Sequence, residues 1–433
     1  MEKVIGKFKL QKEIGTGTTS NVYLALDEFT GEKVAIKVTR QNVFAETEHS
    51  ETCRKMFVNE AAFAGCLHHP HIVAVLDAGI QEDNMYIVME YVAGNNLKAF
   101  CLPDRLLPIN DVVEIIFKCC TAMDYAFKKG VIHRDIKPAN IILHHDNNIK
   151  ITDFGSALLN ETEITKISQL VGSPAYIAPE MICGEQASCQ SDIYALGVTM
   201  YQLLTGRLPF DSKNTNALLQ QILHEQPIPI EKIRKNIPAD FIKIINKSIC
   251  RDKIYRYQDW LSFADDISNA LNNAPDTSNE LRDTTRFKLL KKLIFFESFS
   301  DAELWELINF SKWLNYPSNS CLIKEGSEDT THFFILMTGS AKVTKKGTLL
   351  GVIKEGEPIG EMSYITRTTR TASVYTLTAS IILRFKVTEL QRASKNLQIV
   401  FSNKLLEIVT IRLQKTSELV IDVQESCKLL SKR

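Results

Sequence analysis

The chain has 433 residues, too long for one hydrophobic core, so two or more domains are expected. Hydrophobic residues make up 45% and charged ones 24%, the balance of a folded globular chain, and 51 basic residues cancel 51 acidic ones, leaving no global field to draw nucleic acid or an anionic membrane. No apolar run approaches the roughly 20 residues that span a bilayer, and Met1 to Lys7 holds no signal-peptide core, so a cytoplasmic location is expected.

Lys7 to Val38 reads as strands around a glycine-rich turn, Ile14-Gly15-Thr16-Gly17-Thr18-Thr19-Ser20-Asn21-Val22. Gly15 and Gly17 would let backbone N–H groups come close to phosphate oxygens. Lys37 closes the β-branched run Val34-Ala35-Ile36-Lys37. Thr52 to Leu67 has helical composition, with Met56, Phe57, Ala61, Ala64 and Leu67 on an apolar stripe that also carries Glu60. Taken alone, Glu60 reads equally well as a solvated carboxylate. Met85 to Val92 is an apolar strand followed by Ala93-Gly94. The stretch His133 to Asn140, His-Arg-Asp-Ile-Lys-Pro-Ala-Asn, organises the rest. Its Asp135, Lys137 and Asn140 share one short loop, where they can hold an acceptor, a cation and a metal ligand around a transferring phosphoryl group. The strand Ile149 to Thr152 then delivers Asp153-Phe154-Gly155, and Ala178-Pro179-Glu180 follows further on.

In order and spacing these motifs resemble protein kinases, and Lys137 is typical of the serine/threonine branch. The resemblance covers 8–270 and departs from the usual form at Ser20, which stands at the third glycine of the turn. It implies that Asp135 orients a substrate hydroxyl and accepts its proton, and that Lys137 steadies the γ-phosphate of ATP. Lys37 would grip the α- and β-phosphates and pair with Glu60, while Asn140 and Asp153 would hold Mg2+. Gly15 and Gly17 would cover the phosphates. Adenine would lie between Val22, Ala35 and Ile142, beside the gatekeeper Met89 and against the hinge backbone from Glu90 to Val92. Asp192 would brace the catalytic loop, and Arg256 would pair with Glu180. Residues between Gly155 and Ala178 would form an activation segment, with Ser173 bonding the catalytic aspartate and Thr165 or Ser168 as candidate phosphosites.

Residues 271–285 are polar, with Pro275 among them, and read as a linker. A helical segment, Leu289 to Phe310, follows, with Phe295, Phe296 and Phe299 clustered and Ser300-Asp301-Ala302-Glu303 as a cap signal. From Trp313 to Lys386 the period changes to two, with Gly326, Gly339, Gly347, Gly351, Gly356 and Gly360 between short runs, which argues for a β-roll or barrel. Within it, Gly360 would open a short helix and expose N–H groups to a phosphate. Arg370 would neutralise that phosphate, and Glu361 would accept from a ribose hydroxyl. The run from Ile359 to Val374 resembles, without a gap, the phosphate-binding cassette of cyclic nucleotide-binding domains. It departs at Ile359, Ser363 and Thr369, where the family carries an aromatic, an alanine and a proline. The resemblance implies ligand contacts from Gly360, Glu361, Met362, Ser363, Arg370 and Thr371.

Thr371 matches a residue that helps read guanine in cGMP-dependent kinases. The last helix, with Arg412 to Glu418, resembles the long helix of the catabolite activator type, where a Thr-Ser pair contacts adenine, here Thr416 and Ser417; cAMP is thereby favoured over cGMP. Leu406, Val409, Leu413, Val420 and Val423 fit a seam for a parallel homodimer, with a helix covering its own β-roll as the alternative.

The ten cysteines form no C-x-x-C pair and read as free thiols in or near cores, the adjacent Cys119 and Cys120 included. The expected fold class is α+β: a bilobal kinase fold over 8–270, a linker over 271–285, and a β-roll cyclic nucleotide-binding domain with flanking helices over 286–433. The expected function is a serine/threonine kinase that acts on protein hydroxyls with ATP and Mg2+ under control of cAMP or cGMP. Its alternatives are a constitutive kinase with a ligand-free dimerisation domain and a non-catalytic nucleotide-binding scaffold. Neither a nucleic-acid partner nor a membrane span is expected, since the chain has zero net charge and no DNA-reading helix follows the last one.

Overall fold

The structure is a computed structural model that describes residues 4–17, 20–39, 65–81, 84–154, 174–273, 281–329, 331–366 and 368–430. It divides into two compact units, Met1–Thr277 and Ser278–Arg433.

The first unit opens with an antiparallel sheet of β1 (Val4–Ile5), β2 (Phe8–Thr16), β3 (Ser20–Asp27), β4 (Lys33–Thr39), β5 (Val75–Gln81) and β6 (Asn84–Glu90), in the order β1-β2-β3-β4-β6-β5. The two-residue period of a strand sorts its side chains. Val34 and Ile36 of β4 join Phe8, Ala25 and Val88 on one face, and Ala35 joins Val73, Ile87 and Met89 on the other. A small sheet of β7 (Asn95–Asn96), β8 (Ile141–His144) and β9 (Asn148–Ile151) follows. The helices are α1 (Ile109–Lys128), α2 (Pro179–Ile182), α3 (Cys189–Thr205), α4 (Thr215–His224), α5 (Ala239–Ser248) and α6 (Trp260–Asn273). Helix α1 buries Val112, Val113, Ile116, Phe117 and Cys120 around its circumference, as a central helix must, and packs on α3 and α6. Cys101, Cys119, Cys120 and Cys189 are buried free thiols, and burial pushes the thiols of Cys119 and Cys120 up, which makes them poor nucleophiles.

The expected linker, 271–285, is helical at both described ends: α6 runs to Asn273, and α7 (Asp283–Lys292) begins before the segment closes. Helix α8 (Asp301–Phe310) starts at the signalled cap, where Ser300 N donates to Glu303 Oε2 at 2.7 Å and Glu303 N donates to Ser300 Oγ at 3.4 Å. The second unit then builds two antiparallel four-stranded sheets. Its strands are β10 (Lys312–Tyr316), β11 (Cys321–Ile323), β12 (His332–Thr338), β13 (Ala341–Lys345), β14 (Thr348–Ile353), β15 (Pro358–Ile359), β16 (Ser373–Thr376) and β17 (Ser380–Lys386). One sheet has the order β10-β17-β12-β15 and the other β11-β16-β13-β14. Ile323, Ala341, Ile353 and Val374 of the second meet Phe334, Leu336, Ile359 and Ile382 of the first, so the core lies between the sheets. Strand β12 is buried from Phe333 to Met337 because it lies inside its sheet with both faces covered.

Three helices complete the unit: α9 (Glu361–Thr366), α10 (Val387–Leu390) and the long α11 (Lys395–Leu430). Among the described residues of α11, the buried apolar ones lie at its start: Leu397, Phe401 and Leu405 are buried, and the Phe401 ring lies 5.4 to 6.0 Å from those of Phe295, Phe299, Phe333 and Phe385. Leu406, Leu413, Val420 and Val423 are exposed. No described helix is long and apolar enough to cross a membrane.

Candidate active site and nucleotide cassette

The residues expected around adenine come together in one apolar cluster. Val22, Ala35, Met89, Val92 and Ile142 pack there with Val73, Val75 and Ile87, drawn from β3, β4, β5, β6 and β8 and the segments beside them. The chain leaves β6 through Glu90 to Val92, and Gly94 then passes close to β8. A Cβ at Gly94 would lie 2.1 Å from the Leu143 carbonyl oxygen, so only glycine fits that crossing. Gly15 pairs with Val22 across β2 and β3, and Gly17 N donates to Ser20 O at 2.8 Å.

The catalytic-loop residues are also brought together. Lys137 Nζ lies 2.9 Å from Asp135 Oδ1 and 2.7 Å from Oδ2, and Asn140 Nδ2 donates to Asp135 O at 2.8 Å and to Oδ2 at 2.9 Å. Asp192, from α3, accepts from His133 N at 2.7 Å and Arg134 N at 2.8 Å, as the sequence reading has it. Those bonds hold Arg134 at φ 66, a left-handed conformation costly for arginine, and Asp153 has the same φ. Burial pushes the Asp192 carboxyl up, against the pull of His133 and the two N–H donors. Asp153 accepts from Lys37 Nζ at 2.9 Å; burial disfavours its charge, but the Lys37 ammonium outweighs that and holds its carboxyl below the ordinary range. Thr152 N donates to Asn140 O at 2.9 Å, tying the two metal-ligand candidates to one backbone. Arg256 and Glu180 form the expected pair, fully buried and bidentate at 2.6 Å in both arms.

In the second unit Gly360 has φ 80, and a Cβ there would lie 2.5 Å from Arg370 Nη1 and 2.6 Å from Ile323 Cδ1. Arg370 is buried, and its guanidinium donates to Asp329 O at 2.8 Å, to Gly360 O at 2.8 Å and to His332 O. Three backbone carbonyls thus fix the plane of the group. Glu361 is buried at 3% exposure and pairs with Arg412 of α11, which also donates to Pro358 O at 3.0 Å. Ser363 is buried with its hydroxyl toward Thr369 O at 3.5 Å, whereas Met362 and Thr371 are exposed. Thr416 and Ser417 are exposed too, and their hydroxyls donate within α11, to Arg412 O and Leu413 O.

A model of the protein kinase domain matches residues 8–269. The chain belongs to the protein kinase family. A model of the cyclic nucleotide-binding domain matches residues 313–396, so this kinase carries that domain in its second unit. It is 36% identical over 284 residues to the serine/threonine-protein kinase PrkC of Bacillus subtilis, covering 65% of this chain and 43% of that protein. It is 36% identical over 266 residues to a probable serine/threonine-protein kinase PknB of Lactococcus lactis, covering 61% of this chain and 42% of that one. Against the serine/threonine-protein kinase PknB of Mycobacterium tuberculosis it is 32% identical over 292 residues, covering 66% and 46%. The kinase thus spans less than half the length of each of these relatives.

Glu60, Ser173 and the phosphosite candidates Thr165 and Ser168 lie outside the described residues. Two contacts of the kinase escape a reading by motif. Arg412 reaches Glu361 from 51 residues away, and Lys150 reaches Glu90 from 60 away. Each is one charge on a helix or strand, and a local pattern does not distinguish it from a solvated one.

Proposed function

We propose that this kinase transfers the γ-phosphate of ATP to serine or threonine hydroxyls of protein substrates, and that a cyclic nucleotide bound in the second unit regulates it. The observation that carries the first half is the assembly of Asp135, Lys137 and Asn140 by direct hydrogen bonds, with the Lys37–Asp153 pair beside it.

In this reading Asp135 orients the attacking hydroxyl and accepts its proton. The substrate oxygen bonds to the γ-phosphorus as the β–γ bridging bond breaks and ADP leaves. Lys137, held by the Asp135 carboxylate, steadies the γ-phosphate, and Lys37 turns from Asp153 to the α- and β-phosphates. Asn140 donates its amide nitrogen to Asp135, so its Oδ1 and the Asp153 carboxylate are the hard oxygen ligands that suit magnesium. When bound, Mg2+ neutralises charge on the β- and γ-phosphates.

The cassette geometry supports a phosphate at Arg370, since a guanidinium has five N–H donors and three are engaged by carbonyls. A ribose hydroxyl at Glu361 would share that carboxylate with Arg412, which makes the middle of α11 sensitive to the ligand. Thr416 lies one helical turn beyond Arg412 on the same face, and the resemblance of the Thr416-Ser417 pair to the adenine-contacting pair of the catabolite activator type is what favours cAMP over cGMP. The exposed Leu406, Leu413, Val420 and Val423 support a homodimer through α11. The cytoplasm is the proposed location.

Phosphate incorporation into the kinase itself or a generic basic protein tests the first half. Wild type should label and Asp153→Ala should not; equal silence of both with ATP and magnesium would defeat the enzyme reading. Calorimetric titration with cAMP and cGMP, repeated on Arg370→Ala, tests the second. Binding lost in the variant, together with a change in labelling at saturating nucleotide, is the expected result, and no binding of either nucleotide would reduce the second unit to a docking module.

A further inference from the structure

Glu90 ends β6 at the hinge, and its side chain folds back rather than reaching solvent. Its Oε1 accepts from Lys150 Nζ at 2.5 Å and from Ala74 N at 2.8 Å, while Glu90 N donates to Ala74 O at 3.0 Å. Lys150 Nζ also donates to Ile72 O at 3.3 Å. The two side chains are 16% and 31% exposed, so the pair is partly shielded from water. Main-chain bonds tie the same segment to β9: Val73 N donates to Ile151 O, and Ile151 N to His71 O, both at 2.8 Å.

Residues 72 to 74, Glu90 and Lys150 therefore form one knot. It joins the hinge, which flanks the adenine cluster with Met89 and Val92, to β9, which runs through Thr152 into Asp153. None of the phosphoryl-transfer motifs includes Lys150. We infer that Lys150 is a positioning residue for ATP: by clasping the Glu90 carboxylate to β9 it fixes the hinge backbone relative to Asp153, and so sets nucleotide affinity rather than the rate of transfer. This inference rests on the kinase reading, because it assigns the adenine cluster to ATP. The competing account is a scaffold ion pair that contributes stability and leaves the pocket unchanged.

The test uses the full chain. ADP binding is measured by calorimetry, and the initial rate against MgATP concentration by phosphate incorporation, for wild type, Lys150→Met, Lys150→Arg, Glu90→Gln and the Lys150→Met/Glu90→Gln double variant. Loss of a partly shielded ion pair should weaken ADP binding and raise KM for ATP about fivefold in Lys150→Met, with kcat moved less than about twofold. Lys150→Arg should restore affinity, and the double variant should be no worse than either single one, since both remove the same contact. Unchanged ADP affinity in Lys150→Met and Glu90→Gln, with only the melting temperature lowered, would overturn the inference, as would a fall in kcat at constant KM. The ADP arm reads affinity without any transfer, so failure of the enzyme reading and failure of this one are separately visible.

Discussion

Asp135 accepts from both Lys137 and Asn140, so its carboxylate orientation is set before any substrate arrives. Asparagine at 135 can still accept from Lys137 and Asn140 but cannot take a proton. Asp135→Asn should therefore keep the fold and ADP affinity while lowering kcat by about 10²- to 10⁴-fold, measured by phosphate incorporation. Retained turnover in that variant would remove Asp135 from the proton transfer. At Gly360 the obstacle is steric, because both the φ of 80 and the space against Arg370 Nη1 demand a missing Cβ. Gly360→Ala should displace the guanidinium from its carbonyls and weaken cyclic nucleotide binding at least about tenfold by calorimetry. Wild-type affinity there would mean that the carbonyl cage does not orient Arg370 for ligand.

Among elements, the segment from His69 to Val75 joins β9 to the large sheet and buries two histidines. Burial, then the charge of Lys150, lowers the His69 imidazole to about 3, and burial, then His69 and Lys118, lowers that of His71 well below its usual value. In an unfolded chain each titrates near 6.5, so below that pH the unfolded state binds more protons and is favoured. Their contribution is fully present above about pH 6.5 and is lost as pH falls toward the folded-state values. Urea unfolding of the first unit at pH 7 and pH 5 should show a loss of about 2 kcal/mol per histidine, and His69→Gln should shallow that slope. An unchanged slope in the variant would place the acid sensitivity elsewhere. The elements differ in how far local pattern revealed them. Catalytic-loop chemistry is readable because Asp135, Lys137 and Asn140 lie within six residues on a loop whose geometry keeps them in reach. The β-roll shows through its glycine spacing and alternation. Helix α11 has a similar apolar rhythm along its length, so nothing local marks that Leu397, Phe401 and Leu405 are covered while Leu413 and Val420 are not. Packing against the Phe295, Phe333 and Phe385 rings decides that, and those partners lie far back in the chain.

At the scale of the whole molecule, each unit has a core of its own: the apolar clusters of the large sheet in one, and the space between two sheets in the other. Scanning calorimetry should resolve two unfolding transitions. MgADP should raise the one belonging to the first unit and cAMP the other, each by about 2.7 kcal/mol at a ligand concentration of 100 times Kd. A single transition moved as a whole by either ligand would show that neither unit is stable alone. The ion pair between Glu361 and Arg412 constrains the chain over evolutionary time as well. Glu361 is almost wholly out of water, and a carboxylate left there without its cation would cost about 3–5 kcal/mol. A lineage that lost Arg412 would inherit an unstable roll until Glu361 changed with it. Across descendants of this architecture, positions 361 and 412 should therefore covary, one at the start of α9 and the other 51 residues away on α11.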